Sequence, residues 1–247
     1  MSEWLEGRVC GRRQWADQLY SLQIEAPLTE FIAGQYIKVA LEIGEQTVGR
    51  PYSLVNAPDE RPLEIYFNEV PEGPMSNRLS ALEIGTRLWI SAKAGGVFTL
   101  EQVVPRRHLW LLATGTGLGV YLAMLKTPTA WAQFERVILV HGVRYAKELS
   151  YQETVRSFQE RYAAQFTFIP TLSRETAENA LTGRITELLS NGLLSQTAGA
   201  AITPDDSHLM LCGNSAMINE VRAWLEPQGM GRHSRKQPGH YTIEQYH

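Results

Sequence analysis

The sequence predicts two domains: a closed, six-stranded β-barrel followed by a doubly wound α/β domain built on a parallel sheet. Three observations carry this reading. The chain has 247 residues, 44% of them hydrophobic, enough for one large core or two modest ones. Residues 1–100 show short apolar runs separated by turn residues, the pattern of a barrel. After Val104-Pro105 apolar strands alternate with helices, which indicates a parallel sheet covered on both faces. The boundary falls near Leu100–Arg107, so the domains are expected at 1–100 and 101–247.

In the first part, strands are expected at Trp4–Gly11, Leu19–Glu25, Gln35–Glu42, Val48–Leu54, Leu63–Asn68 and Thr86–Ala92. Tyr36-Ile37-Lys38-Val39 alternates with the period of a half-buried strand. Ala33-Gly34, Ile43-Gly44-Glu45, Ala57-Pro58-Asp59 and Gly73-Pro74 interrupt the runs. One helix, Met75–Leu82, sets Met75, Leu79 and Leu82 on one face directly after Gly73-Pro74. In the second part, strands are expected at Leu109–Ala113, Val137–His141, Phe166–Pro170 and Leu209–Cys212. Helices are expected at Leu118–Leu125, about Ser150–Tyr162, about Thr186–Ser190 and about Ser215–Leu225.

Composition excludes several functions. The 23 Lys+Arg against 26 Asp+Glu leave a net charge of −3, without the basic excess of a nucleic-acid binder. Cys10 and Cys212 are the only cysteines, too few for a disulfide framework or a four-cysteine iron–sulfur cluster. Leu109–Ala113 is far too short to cross a bilayer, and Met1–Arg8 has no apolar signal core. A cytoplasmic monomer with no membrane partner is expected. The six histidines show no metal-ligand spacing and no Ser/His/Asp order.

Ala113-Thr114-Gly115-Thr116-Gly117-Leu118-Gly119 follows an apolar strand and opens a helix, the setting of a phosphate-cradling turn. Its Gly-x-Gly-x-Gly spacing departs from the dinucleotide fingerprint, so by itself an ordinary strand–helix turn is an equal reading. The next strand ends His141-Gly142-Val143-Arg144, placing an arginine where an NAD-selective fold usually has a carboxylate. Ser173-Arg174 and Thr182-Gly183-Arg184 follow. Each arginine alone reads as a solvated surface residue; together they suit the 2′-phosphate of NADP(H). In the first part, Arg50-Pro51-Tyr52-Ser53-Leu54 ends a strand. It reads either as an edge strand with ordinary polarity or as a flavin site with a stacking ring, a hydroxyl and a cation. Gly73-Pro74-Met75-Ser76 offers a second helix N-terminus for an anion.

Arg50-Pro51-Tyr52-Ser53, Gly73-Pro74-Met75-Ser76, Thr114-Gly115-Thr116-Gly117, Val143-Arg144 and Cys212-Gly213-Asn214 follow the order found in the ferredoxin–NADP(+) reductase family. The chain resembles its compact bacterial ferredoxin/flavodoxin reductases over its whole length, including the aromatic tail Pro238–His247. The resemblance implies an antiparallel FAD-binding barrel and an NADP(H)-binding domain whose tail returns to the flavin. It implies non-covalent FAD held by Arg50, Pro51, Tyr52 and Ser53, by Ile65 and Tyr66, and by the backbone around Pro74, Met75 and Ser76. Thr116, Tyr246 and His247 complete that set, with Tyr246 on the flavin face opposite Tyr52. NADP(H) is implied at Gly115, Gly117, Val143, Arg144, Ser173, Arg174, Arg184, Gly213 and Asn214. Tyr52, Ser53, Cys212 and Tyr246 are the residues implied at the reacting atoms, and Cys212 need not be a nucleophile. Relatives ending in tyrosine or tryptophan differ from this chain, which ends in His247.

The implied activity is hydride transfer between NADPH and the flavin N5, coupled to one-electron exchange with ferredoxin or flavodoxin. A flavin or oxygenase-type reductase of the same superfamily is the near alternative, and a non-catalytic NADP(H)-sensing protein the distant one. Arg106-Arg107-His108 and Arg232-His233-Ser234-Arg235-Lys236 are the basic runs expected to receive an acidic electron partner.

Overall fold

Residues 4–44, 46–71, 73–234 and 236–246 are described by a computed structural model. Contacts divide the chain into two compact units, Met1–Thr99 together with Gly119–Thr127, and Leu100–Leu118 together with Pro128–His247. Among the described residues, no helix is long and apolar enough to cross a membrane.

The first unit contains β1 (Trp4–Ala16), β2 (Leu19–Glu25), β3 (Tyr36–Ile43), β4 (Gln46–Ser53), β5 (Leu63–Asn68), the helix α1 (Pro74–Ser80) and β6 (Arg87–Ser91). The strands pair antiparallel in the order β4-β3-β6-β1-β2-β5. Just past β4, Leu54 bridges Ile65 of β5 and Val55 N–H donates to Glu64 O at 2.9 Å, joining the two ends of the sheet. Alternation explains the core. Leu63, Ile65 and Phe67 of β5 enter the same apolar cluster as Leu22, Ile24, Ile37, Val39, Leu88 and Ile90. β1 runs five residues beyond the expected Gly11, through Arg12, Arg13 and Gln14, because β2 supplies backbone partners across two bulges.

The second unit contains β7 (His108–Thr114), α3 (Pro128–Gln133), β8 (Arg136–Val143), α4 (Gln152–Arg161), β9 (Phe166–Leu172), β10 (Leu181–Thr182), α5 (Ile185–Ser190), α6 (Leu193–Ala198), β11 (Ser207–Gly213), α7 (Ser215–Leu225) and β12 (Tyr241–Gln245); between β7 and α3 lies α2 (Leu118–Leu125), most of which packs with the first unit. All strands here are parallel, in the order β10-β9-β8-β7-β11-β12. β7 and β11 are buried on both faces, which is why they read as unbroken apolar runs. The order reverses beside β7, with β8 on one side and β11 on the other. Open α/β sheets bind ligands in the crevice at the carboxyl ends of the strands beside such a switch.

α2 is buried at every position from Leu118 to Leu125, so it carries no polar face. Tyr121 meets Phe98 at 6.0 Å between ring centroids. Lys126 at its end donates to Val55 O at 3.1 Å and pairs with Glu60 at 2.8 Å. α7 is capped by Asn214, whose side chain accepts from the N–H groups of Ala216 and Met217, and it buries Met217, Ile218, Val221 and Leu225.

Three short elements, α3, α6 and β10, have no counterpart in the sequence reading. α3 is held by tertiary contact: Trp131 stacks on Tyr162 at 3.7 Å and 8°. The closing residues 241–245, expected as a tail, form β12 and add a sixth strand beside β11.

Candidate functional site

In the first unit, β4 delivers the Arg50–Ser53 run. It pairs with β3 on one side only, with Ile37 opposite Tyr52 and Tyr36 opposite Ser53, so Pro51 costs the ladder nothing on its open side. The Arg50 guanidinium is exposed and donates to the carbonyl of Gly49 at 2.9 Å. Tyr52 is half-buried, edge-on to Phe67 at 5.8 Å. Desolvation pushes its hydroxyl pKa up to about 12, against the opposing pull of Arg50. The ring is therefore neutral across the physiological range, as a stacking face should be.

Three of the expected flavin residues, Ile65, Tyr66 and Met75, have buried side chains. Ile65 is wholly buried in the barrel core, and Tyr66 is 5% exposed, edge-on to Trp15 at 6.5 Å. Strand alternation sends Ile65 inward, so contact at this position is left to the main chain. Met75 is likewise committed to the core. α1 starts with Pro74 at its first turn, and Gly73 gives it no side-chain cap. Ser76 Oγ accepts from Val70 N–H at 3.0 Å and donates to Gly73 O at 3.4 Å, stapling the loop before the helix.

In the second unit, β7 ends at Thr114 and a single 3-10 turn, Gly115–Gly117, leads into α2. Thr116 sits half-buried between the two glycines. Gly115 has φ +53°. A Cβ on Gly117 would lie 2.5 Å from the Cys212 carbonyl oxygen, so the turn packs directly on the end of β11. Asn214 N–H donates to Thr114 Oγ1 at 2.8 Å, a second tie to the same strand. From β8, the buried His141 reaches the carbonyl of Gly115 with Nε2 at 2.9 Å.

The expected phosphate residues meet at the ends of β8, β9 and β10. Ser173 N–H donates to Val143 O and Arg174 N–H to Arg144 O, both at 3.0 Å. Gly183 N–H donates to Leu172 O at 2.9 Å, bringing Arg184 to the same edge. Arg144, Ser173, Arg174 and Arg184 are all exposed. Three carboxylates stand close by, and each is spent on the main chain. Glu148 accepts from Arg144 N–H at 2.8 Å, Glu175 from Ala146 N–H at 2.7 Å, and Glu187 from Arg184 N–H at 3.0 Å. Among the described residues, none pairs with the three guanidinium groups.

Cys212 ends β11 and is wholly buried. Burial, then the neighbouring Glu244, pushes its thiol pKa well up, and a hydrogen bond with Tyr246 opposes them. The thiol is protonated at neutral pH and is not a nucleophile. β12 creates this grouping by setting Glu244 opposite Cys212 and Gln245 opposite Gly213. Tyr246 N–H then donates to Gly213 O at 3.2 Å. Sequence reasoning named Cys212 and Tyr246 but missed Glu244 and His141. Glu244 had no local signal, because only the parallel pairing brings it to the thiol. His247 lies outside the described residues.

Residues 15–98 match the model of the oxidoreductase FAD-binding domain, and residues 111–223 that of the oxidoreductase NAD-binding domain. A flavodoxin/ferredoxin–NADP reductase of Escherichia coli (strain K12) is 41% identical over the full length of both chains. The chain belongs to that family. A ferredoxin–NADP reductase of Pseudomonas aeruginosa is 33% identical across 99% of this chain and 98% of its own. The crystal structure of a ferredoxin NADP+ reductase from Neisseria gonorrhoeae, with bound FAD and NADP, superposes with a TM-score of 0.94 at 27% identity, covering 99% of both chains.

The basic runs expected to receive an electron partner lie at one end of the second unit's sheet. Arg106 and Arg107 precede β7, and Arg232–Ser234 and Lys236 precede β12, all at the amino ends of the strands. Seven-residue strands put about 20 Å between those ends and the carboxyl-end crevice. Arg107 is engaged with Glu135 at 3.1 Å and Asp206 at 3.6 Å, and Arg106 donates to Asp205 O at 3.0 Å. Arg235 lies outside the described residues.

Proposed function

We propose that the protein is an FAD-dependent ferredoxin/flavodoxin–NADP(+) reductase, moving electrons between NADPH and a small one-electron carrier protein. FAD is assigned to 1–100 and NADP(H) to 101–247, an assignment that the two domain matches support. FAD, when bound non-covalently, supplies an acceptor that takes two electrons as hydride at N5 and returns them singly.

The residues of the chain bind and orient. The Arg50 guanidinium, with no carboxylate partner among the described residues, suits the flavin pyrophosphate. The neutral Tyr52 ring suits a flavin face, with Ser53 beside it. The main chain of Pro74–Ser76 suits the FAD phosphates. Gly115–Gly117 offer a backbone that a dinucleotide pyrophosphate can approach closely. Protonated, buried Cys212 and the Tyr246 hydroxyl border the nicotinamide end, where Cys212 excludes water rather than attacking.

The observation that carries the reading is the exposed edge of Arg144, Arg174 and Arg184 beside three carboxylates already committed to main-chain donors. Cations with unspent charge at that edge select a 2′-phosphate, hence NADP(H) over NAD(H). A cytoplasmic monomer is part of the proposal, and two free thiols, Cys10 and Cys212, fit a reducing compartment. The test is the visible spectrum of the purified protein without oxygen. NADPH should bleach a flavin spectrum rapidly and NADH slowly, and reduced protein should then reduce flavodoxin or ferredoxin faster than free flavin. A colourless protein, or equal rates with both donors, would defeat it.

A further inference from the structure

The turn read as the dinucleotide site is held partly by a residue outside it. Gly115 stands at φ +53°, and its carbonyl oxygen accepts from Leu118 N–H, closing the 3-10 turn. The same oxygen also meets His141 Nε2 of β8, at 2.9 Å. A carbonyl only accepts, so Nε2 carries the proton. Burial lowers the pKa of His141 to about 4, so the ring is neutral near pH 7 and only this tautomer makes the bond.

The surroundings show why the imidazole matters. In the parallel ladder His141 lies between Ala113 of β7 and Pro170 of β9, neither of which offers a side-chain partner. Its Nδ1 is buried with no hydrogen-bond partner among the described residues. A polar ring with an unsatisfied nitrogen is unfavourable in a core that an apolar residue could fill. What the ring does provide is the bond to Gly115. The other side of the turn is fixed separately, by Thr114 Oγ1 to Asn214 and by Gly117 against Cys212.

We propose that His141 is a positioning residue for nicotinamide-dinucleotide binding: its Nε2–H holds the Gly115 carbonyl and thereby aims the N–H groups of the Gly115–Gly117 turn at the pyrophosphate. The role rests on the reading of this turn as the dinucleotide site. It separates two contributions within one ligand. The arginine edge reads the 2′-phosphate, and His141 acts only on the pyrophosphate, which NADP(H) and NAD(H) share.

The test is calorimetric titration of the flavin-loaded protein with NADP+ and with adenosine 2′-monophosphate, which keeps the 2′-phosphate and lacks the pyrophosphate. In His141→Leu, NADP+ affinity should fall about tenfold, the effect of one buried hydrogen bond, while 2′-AMP affinity stays within about twofold. His141→Gln, whose amide nitrogen reaches about as far as Nε2, should restore NADP+ affinity to within about threefold of the wild type. Unchanged NADP+ affinity in the leucine variant overturns the role, as does proportional loss of both ligands or failure of glutamine to rescue. Wild-type protein that binds NADP+ no more tightly than 2′-AMP removes the pyrophosphate reading of the turn, and the role of His141 with it. Should the leucine variant not fold, imidazole 15N NMR of the wild type decides. A neutral Nε2–H tautomer from pH 5 to 8 is expected, and an Nδ1–H or charged ring overturns the role.

Discussion

Glu148 accepts the main-chain N–H of Arg144 at 2.8 Å and leaves the Arg144 guanidinium exposed to solvent. The same division recurs at Glu187 and Arg184, where the N–H···O distance is 3.0 Å. A carboxylate that would neutralise a phosphate-binding arginine instead fixes the backbone that carries it. The loop is ordered without tying up the guanidinium.

Arg144→Ala should therefore weaken the use of NADPH far more than that of NADH. Loss of one charge-assisted phosphate contact costs about 1.5–3 kcal/mol, or roughly tenfold to 150-fold in kcat/KM for NADPH. Steady-state kinetics with both donors checks this. Equal losses would show that Arg144 does not read the 2′-phosphate.

Lys236→Glu should leave electron transfer to flavodoxin within about twofold of the wild-type rate, with an unchanged salt dependence. On the proposed reading the nucleotide binds at the carboxyl ends of the strands, whereas Lys236 precedes β12 at the amino ends, about 20 Å away. Stopped-flow reduction of flavodoxin at two ionic strengths makes the measurement. A marked slowing would return the docking surface to the amino-end basic run.

Acid should destabilise the second unit through two buried histidines. Desolvation lowers His141 to about 4; desolvation first, then His233, Arg106 and His240, lowers His208 to about 3. In the unfolded chain both return to an ordinary value near 6.5. Below that pH the unfolded state takes up protons that the native state refuses, so stability falls as pH falls. The window runs from about pH 6.5 to about 4, at roughly 1.4 kcal/mol per pH unit for each histidine. Denaturant melts across this window should show the slope, and His208→Gln should roughly halve it. A flat profile would mean that both rings are already charged in the folded protein.

Asn214→Ala should cost about 1 kcal/mol, because α7 loses the side chain that accepts from Ala216 and Met217. A fall in Tm of about 2–4 °C is expected for a unit of this size. Asn214 donates to Thr114 through its backbone N–H, which alanine keeps, so NADP+ affinity should hardly change. A large loss of affinity would give the side chain a direct role at the nucleotide.

Local chemistry made much of this protein legible in advance. Alternating runs such as Leu63–Asn68 and unbroken ones such as Leu209–Cys212 reveal which strands are half-buried and which lie inside a parallel sheet, because burial acts residue by residue. The Thr114–Gly117 turn and the arginines at 144 and 174 are equally local, since each follows a strand that the sequence marks, whereas Arg184 follows β10, which exists only through its pairing with β9. Pairing decided the rest. The tail became a strand only because β11 had an open edge for Tyr241–Gln245, and that register alone brought Glu244 and Tyr246 to Cys212. His141 looked like one more residue in an apolar strand until the fold set its Nε2 against the Gly115 carbonyl, 26 residues away in sequence. The basic run before β12 was visible as charge, but its place at one end of the sheet was not. Charge is a property of composition, whereas the direction in which a strand runs relative to its neighbours exists only once the sheet has formed.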